Sequence, residues 1–330
     1  MAAVNDLLDL ASVGPAIPRV EDALREAVTA EDDFLTGIAG HLLNAGGKRI
    51  RPAVALAAAA CRSSSDSGPS DDVIQGAASV ELVHLGSLYH DDVMDEAESR
   101  RGVDSVNARW GNLVAILAGD FLLARASEMA ASLGTEVAGL LAATIGRLCE
   151  GQVGELQSAF DVTRTEAAYL TSITGKTASL LSTAARVGAL TAGLDRRAVD
   201  ALTACGRGVG MVFQIVDDIL DIVGTDASLG KPAGHDLVEG IYTLPVIQTL
   251  ASGGPAADEL GALLGGPVDE AERDKARNIV RSSGCVATSI DVGRRYAAEA
   301  AEAARSLSPT PASGALADLG HHLLADIPAL

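Results

Sequence analysis

Six aspartates in two matched groups are the residues of this sequence best suited to do chemistry. The first group lies in HDDVMDEAESRRG, as Asp91, Asp92 and Asp95, and the second in FQIVDDILDIVG, as Asp217, Asp218 and Asp221. On a helix the first and last members of a DDxxD group sit roughly 40° apart and one turn along, so their carboxylates can share one ligand. A single such group is also what a solvated helix face of an acidic protein carries. The second copy resists that reading, because its aspartates interrupt Met211, Val212, Phe213, Ile215, Val216, Ile219, Leu220, Ile222 and Val223. Carboxylates in so apolar a helix are costly to bury unless a cation meets them. Mg²⁺ suits the set: it takes hard oxygen ligands, keeps several waters, and is held by a few carboxylates together with substrate phosphates. Two facing groups would then grip a diphosphate through shared metal ions.

The cations point to the same kind of ligand. Three of the lysines stand beside glycine: Lys48 in AGGKRIRP, Lys176 in TGKTASLL and Lys231 in LGKPAG. Glycine lets the backbone approach an oxyanion and lysine supplies a point charge, although a cation at a helix end needs no ligand to explain it. The GKT triplet lacks the rest of a GxxxxGK[ST] loop and a preceding strand, so it carries little alone. Together with Arg49, Arg51, Arg100 and Arg101, these lysines form local positive clusters in a chain of net charge −19. That combination suits a small polyanion and excludes a protein that grips nucleic acid through a broad basic surface. His84 precedes Asp91 by seven residues and returns to within about 20° of its face. It can bind a phosphate, or serve as the structural hydrogen-bonder that a buried histidine more often is.

Helices must position these groups. Pro69 and Pro232 bracket 162 consecutive positions without a proline, in a chain rich in alanine and leucine. Segments 73–99, 113–133, 136–160, 166–192 and 196–223 repeat apolar residues at three and four, without the alternation of strands. Breaks are expected at 62–72, 100–112, 224–240 and 252–257. The helical pattern resumes after each with the same composition, so the expectation is one all-α domain over 1–330, a helical bundle with mobile N-terminal residues and a surface loop at 62–72. Cys61, Cys149, Cys205 and Cys285 lie far apart, which suggests neither a disulfide framework nor a zinc site and fits a reducing cytoplasm. The N-terminus lacks the basic-then-apolar order of a signal peptide. Apolar runs such as 53–61 and 113–118 stop short of the roughly 20 residues that cross a bilayer, so a soluble protein without a transmembrane segment is expected.

With these motifs in this order, the sequence resembles the trans-isoprenyl diphosphate synthases, the polyprenyl synthetase family. The likeness runs from Phe34 to Leu250 through GGKRIRP, the histidine and DDxxD followed by RRG, AGDFLLARA, GKT, FQxxDD and LGKPAGHDL. It implies mostly antiparallel helices around a deep central cavity, usually in a homodimer, and a 1′-4 head-to-tail condensation. An allylic diphosphate ionises, the double bond of isopentenyl diphosphate attacks the allylic cation, and proton loss leaves an all-trans chain longer by one isoprene unit. Carried over residue by residue, Asp91, Asp95 and Asp217 become the main Mg²⁺ ligands with Asp92, Asp218 and Asp221 in support, and three metal ions bridge the allylic diphosphate. Arg100, Lys176 and Lys231 contact that diphosphate, while Lys48, Arg51, His84 and Arg101 hold isopentenyl diphosphate. Gln214 and Thr177 orient groups near the cation, and the departing diphosphate takes the proton. One position departs from the pattern: where many members carry a lysine, in the segment written here LVEGIYTLP, this chain has Ile241.

A terpene cyclase or a head-to-head synthase also ionises a diphosphate between acidic helices. Neither needs the second, metal-free diphosphate site that Lys48, Arg51, His84 and Arg101 supply. A non-catalytic partner subunit of another synthase needs neither aspartate group. In the family, the residues four and five before the first motif form the cavity floor; Ser87 and Gly86 stand there, both small. The floor is therefore expected to be open and the product long, a quinone side-chain precursor, with geranylgeranyl diphosphate as the alternative. Tyr89 is bulky, but it lies about 160° from the line of Ser87. Release of so apolar a product is expected to bring no more than transient contact with a membrane.

Overall fold

The computed structural model describes residues 3–62, 68–226 and 232–328, so Lys231 and the centre of the loop expected at 62–72 fall outside it. Helices α1 (Ala3–Leu8), α2 (Ile17–Ala27), α3 (Asp33–Ala39), α4 (His41–Asn44) and α5 (Ile50–Ala59) lead into the long α6 (Asp71–Met94). A short ribbon, β1 (Ser99–Arg100) and β2 (Val103–Asp104), precedes α7 (Val106–Trp110), α8 (Asn112–Ser132), α9 (Thr135–Gln157) and α10 (Glu166–Ile173). A π-helical turn, Thr174–Ala178, then joins α10 to α11 (Ser179–Thr191), and α12 (Arg196–Val223) follows. The chain ends through α13 (His235–Val238), α14 (Leu244–Ala251), α15 (Gly254–Leu263), α16 (Glu270–Ser282), α17 (Cys285–Arg305) and α18 (Pro311–Ala325).

The helical expectation holds with one correction. The segment 100–112, read as a plain break, contains the antiparallel ribbon, in which Ser99 faces Asp104 and Arg100 faces Val103. Arg101 and Gly102 make its turn with φ of 55° and 76°, the left-handed conformation that a tight hairpin requires. The two long helices that carry the aspartates start on side-chain caps: Ser70 Oγ accepts from the Val73 amide at 3.4 Å, and Asp195 Oδ1 accepts from the Ala198 amide at 2.8 Å.

Helix α6 packs against α5, α8 and α11, and α12 against α11, α17 and α18. Helix α12 serves two cores at once. Val212 and Val216 join the larger one, with the α6 residues Ala77, Val80 and Leu85. Met211, Ile215, Ile219 and Ile222 join a second, with Tyr169, Tyr242, Leu244 and Val246. Each such burial contributes about 1.5–3 kcal/mol. By length and composition α12 could cross a membrane, which the short apolar runs of the sequence did not suggest; here most of its apolar window is buried in protein.

Candidate active site

The last turn of α6 divides the first aspartate group. Asp92 is fully buried and its Oδ1 accepts from Arg100 Nε at 2.7 Å and pairs with Nη2 at 2.6 Å, because the ribbon folds back over the helix end. Arg100, expected on the diphosphate, and Asp92, expected beside the metal, are thus joined to each other. Asp91 lines a cavity of about 470 Å³ and Asp95 a second of about 580 Å³. Burial pushes the Asp91 carboxyl up to about 6, with Asp95 adding to it and Lys176 opposing. Burial raises Asp95 too, reinforced by Glu239.

Lys176 stands between these cavities and lines both. Its place is set by backbone contact between α9 and the π-turn. A Cβ on Gly151 would come within 2.4 Å of the Lys176 amide nitrogen, and one on Gly175 within 2.7 Å of the Arg147 carbonyl. Only glycine at both positions permits that approach. Lys176 Nζ donates to the Glu155 carboxylate. Burial opposes the lysine charge, but Glu155, Asp91 and Asp95 outweigh it and hold the pKa above the usual lysine value.

The second group divides in the same way. Asp218 is 4% exposed, and both its oxygens are engaged: Tyr169 donates its hydroxyl to Oδ2 at 2.5 Å and Gln214 donates Nε2 to Oδ1 at 2.7 Å. Thr177 in turn donates to Gln214 Oε1 at 2.7 Å, so the expected pair of Gln214 and Thr177 is assembled. Burial raises Asp218 to about 7 while Tyr169 and Gln214 pull it down. Asp221, 3% exposed, accepts from the Asp236 amide at 3.4 Å and ties the end of α12 to the next segment. Asp217 is exposed and lines the larger cavity with Asp95, Lys176, Asp236 and Glu239.

Asp91, Asp95 and Asp217 therefore face the open space; Asp218 reaches the same wall as Asp217 but is held by Tyr169 and Gln214, and Asp92 and Asp221 brace the site. Among the described residues no three acidic, histidine or cysteine side chains converge as a ready-made metal cage. The hard carboxylate donors still fit a divalent ion that takes its remaining oxygens from a diphosphate and water.

The other cations gather around a residue that sequence reading passed over. Glu81, three residues before His84 and so on the same side of α6, is buried, and Arg49 Nη1 pairs with it at 3.1 Å. Arg51 and Arg101 lie within its electrostatic reach. Arg49 also binds Glu21 at 2.5 Å and the Leu43 carbonyl at 3.2 Å, which makes it a strut. Arg101 is anchored on the carbonyls of Leu42, at 3.0 Å, and Gly46. Burial, followed by Arg51 and Arg101, holds His84 well below the ordinary histidine value, so it is neutral near pH 7. Lys48 is exposed on the adjoining loop.

The cavity of about 470 Å³ runs between α6, α8 and α9, and its wall includes Ser87, Met94, Ile116, Leu123, Leu148 and Leu156. Ser87 lies in that wall, as expected of its position, whereas Gly86, expected beside it, does not. It is absent from that wall and sits in the α6–α8 contact, where a Cβ would meet the Gly119 carbonyl at 3.1 Å and Leu123 at 3.2 Å. Tyr89 turns away, donating its hydroxyl to the Ile38 carbonyl at 2.6 Å. The four cysteines are free thiols.

Comparison with known proteins agrees with this arrangement. Residues 32–282 match the family model described as polyprenyl synthetase. A nonaprenyl diphosphate synthase from Mycobacterium tuberculosis is 40% identical, over 96% of this chain and 94% of that protein. Heptaprenyl diphosphate synthase component 2 from Geobacillus stearothermophilus is 38% identical over 92% and 93%. The crystal structure of a polyprenyl synthase from Caulobacter crescentus, complexed with calcium and isoprenyl diphosphate, superposes with a TM-score of 0.90 at 33% identity, covering 98% of this chain and 97% of that one. Paired aspartate faces around one cavity, a cationic cluster beside it and an apolar chamber behind it all accord with that kinship: the chain belongs to the polyprenyl synthetase family and is a prenyl-elongating transferase.

Proposed function

We propose that the protein is a Mg²⁺-dependent, long-chain all-trans polyprenyl diphosphate synthase that works as a homodimer in the cytoplasm. The observation that carries the long-chain reading is the apolar chamber: it opens beside Asp91 and Lys176, and the small Ser87 in its wall leaves room for a growing tail. Asp91, Asp95 and Asp217 would hold up to three Mg²⁺ ions, which when bound neutralise charge on the leaving diphosphate. Lys176, freed from Glu155 by a competing anion, stabilises the same charge as the allylic C–O bond breaks. The resemblance gives Lys231 the same task. Thr177 and Gln214 present fixed dipoles near the cation, and the apolar wall keeps water from it. The departing diphosphate takes the proton that isopentenyl diphosphate loses after attack. Mass analysis of products from each allylic primer with isopentenyl diphosphate and Mg²⁺ tests this; a product that stops at C20 would replace the reading with a geranylgeranyl diphosphate synthase.

Lys48, Arg51, His84 and Arg101 would receive isopentenyl diphosphate without metal. A neutral His84 among arginines can donate to a phosphate oxygen without adding to the local repulsion of cations. Lys48→Ala and His84→Ala are expected to raise KM for isopentenyl diphosphate about tenfold or more, and KM for the allylic primer far less. Equal rises would mean that the two diphosphates share one site.

The homodimer rests on the outer face of the same chamber. Leu113 and Leu117 on α8 are 72% and 57% exposed, and Ile116, Val153 and Leu156, which line the chamber, are exposed too. A second copy laid on α8 and α9 would cover this apolar patch and complete the chamber wall, and among the described residues no other segment covers it. Leu117→Glu is expected to convert the dimer to a monomer in light scattering, because it places a charge in a desolvated contact. A wild-type monomer, or an unchanged dimer in the variant, would overturn this interface.

A further inference from the structure

Arg164 precedes α10, 94% buried, and lines the cavity of about 580 Å³ together with Lys176, Asp217 and Ile241. Its Nη1 donates to the Tyr242 carbonyl at 3.0 Å, whereas Nε and Nη2 are buried and have no acceptor. The three acids that act on it most strongly are engaged elsewhere. Glu155 accepts from Lys176, Asp218 from Tyr169 and Gln214, and Asp161 Oδ1 from Thr163 at 2.8 Å (amide) and 2.6 Å (hydroxyl). The guanidinium also lies 5.7 Å over the Tyr169 ring, which fixes its plane. A buried cation with idle donors is unfavourable unless something outside the chain supplies the acceptors.

The neighbouring backbone explains why this cation stands where it does. Phe160 donates its amide to the Gly240 carbonyl at 2.8 Å, and Arg164 binds the Tyr242 carbonyl, so the loop before α10 is stitched to the chain on both sides of Ile241. Ile241 puts an apolar side chain into the cavity wall between those two contacts. We propose that Arg164 is a binding cation for the allylic diphosphate and supplies, from the opposite loop, the positive charge that Ile241 does not. This deepens the reading above and rests on it. A planar guanidinium with two free donors suits a phosphate better than an ammonium would, because both bonds can form at once.

The test uses the full-length enzyme with farnesyl diphosphate and isopentenyl diphosphate in steady state, and magnesium pyrophosphate in titration calorimetry. Arg164→Gln is expected to raise KM for farnesyl diphosphate and Kd for magnesium pyrophosphate about tenfold, with KM for isopentenyl diphosphate changed less than about twofold. Ile241→Lys added to Arg164→Gln should restore most of the lost affinity. If both KM values rise together, if neither changes, or if Ile241→Lys restores nothing, Arg164 is only a strut for the Tyr242 carbonyl and the proposal is overturned. Should Arg164→Gln melt early, Arg164→Lys, which keeps one donor for that carbonyl, decides: a selective rise for farnesyl diphosphate supports the proposal and its absence overturns it. Wild-type enzyme that neither condenses the two substrates nor binds magnesium pyrophosphate would instead overturn the underlying reading of function.

Discussion

Replacing Asp91 or Asp217 with alanine is expected to lower kcat by about a thousandfold while leaving helicity and melting temperature near those of the wild type. Both carboxylates face the cavities and neither fills a core position, so their loss removes charge from the reacting centre without opening a void. The interaction lost is one that strengthens as diphosphate charge develops, and such losses fall on kcat. Asp92→Ala makes the contrast. It should also cut turnover, but with a fall in stability, because it strands Arg100 beside a buried gap. Circular dichroism and single-turnover kinetics on the three variants separate the two classes. Near-wild-type turnover in Asp91→Ala or Asp217→Ala would remove the metal assignment from those residues.

That contrast marks where the sequence stops being readable. The spacing of apolar residues located α12 to the residue, Arg196–Val223, because a helix that feeds two cores repeats its apolar positions on two faces. The two aspartate groups were equally plain, since chemistry at that spacing has few alternatives. Which aspartates face the cavity depended on partners far along the chain. Asp218, though in the cavity wall, is bound by Tyr169, 49 residues away, and nothing near FQIVDDILDIVG names that tyrosine. Arg100 was legible as a cation, but its turn back onto Asp92 depends on a two-residue ribbon too short to leave a periodic signal. Arg164 meets Tyr242 across 78 residues for the same reason. Gly86 and Ser87, neighbours in the motif, part company in the fold: one step along a helix rotates a side chain by about 100°, enough to pass from a cavity wall into a helix contact.

Product length gives that rotation a measurable consequence. Ser87 lies one helical turn before Asp91, and both line the same chamber, so a tail growing from a diphosphate held at Asp91 passes Ser87 within its first units. Ser87 donates Oγ to the His84 carbonyl of its own helix at 2.9 Å and lines the chamber, so a larger side chain there would take up chamber space. Ser87→Phe is therefore expected to shift the product towards about C15 to C20, with ionisation and the first condensations preserved, because blocking an apolar channel stops elongation by steric exclusion alone. Gly86→Phe should behave differently. Its ring would be driven into the Gly119 carbonyl and Leu123, so the expected result is a less stable protein. Liquid chromatography with mass detection on both variants, under one primer and one metal concentration, reads product length, and thermal melting reads the packing. An active Ser87→Phe enzyme that still makes wild-type-length product would show that the tail leaves by another route, and the long-chain reading would lose the chamber on which it rests.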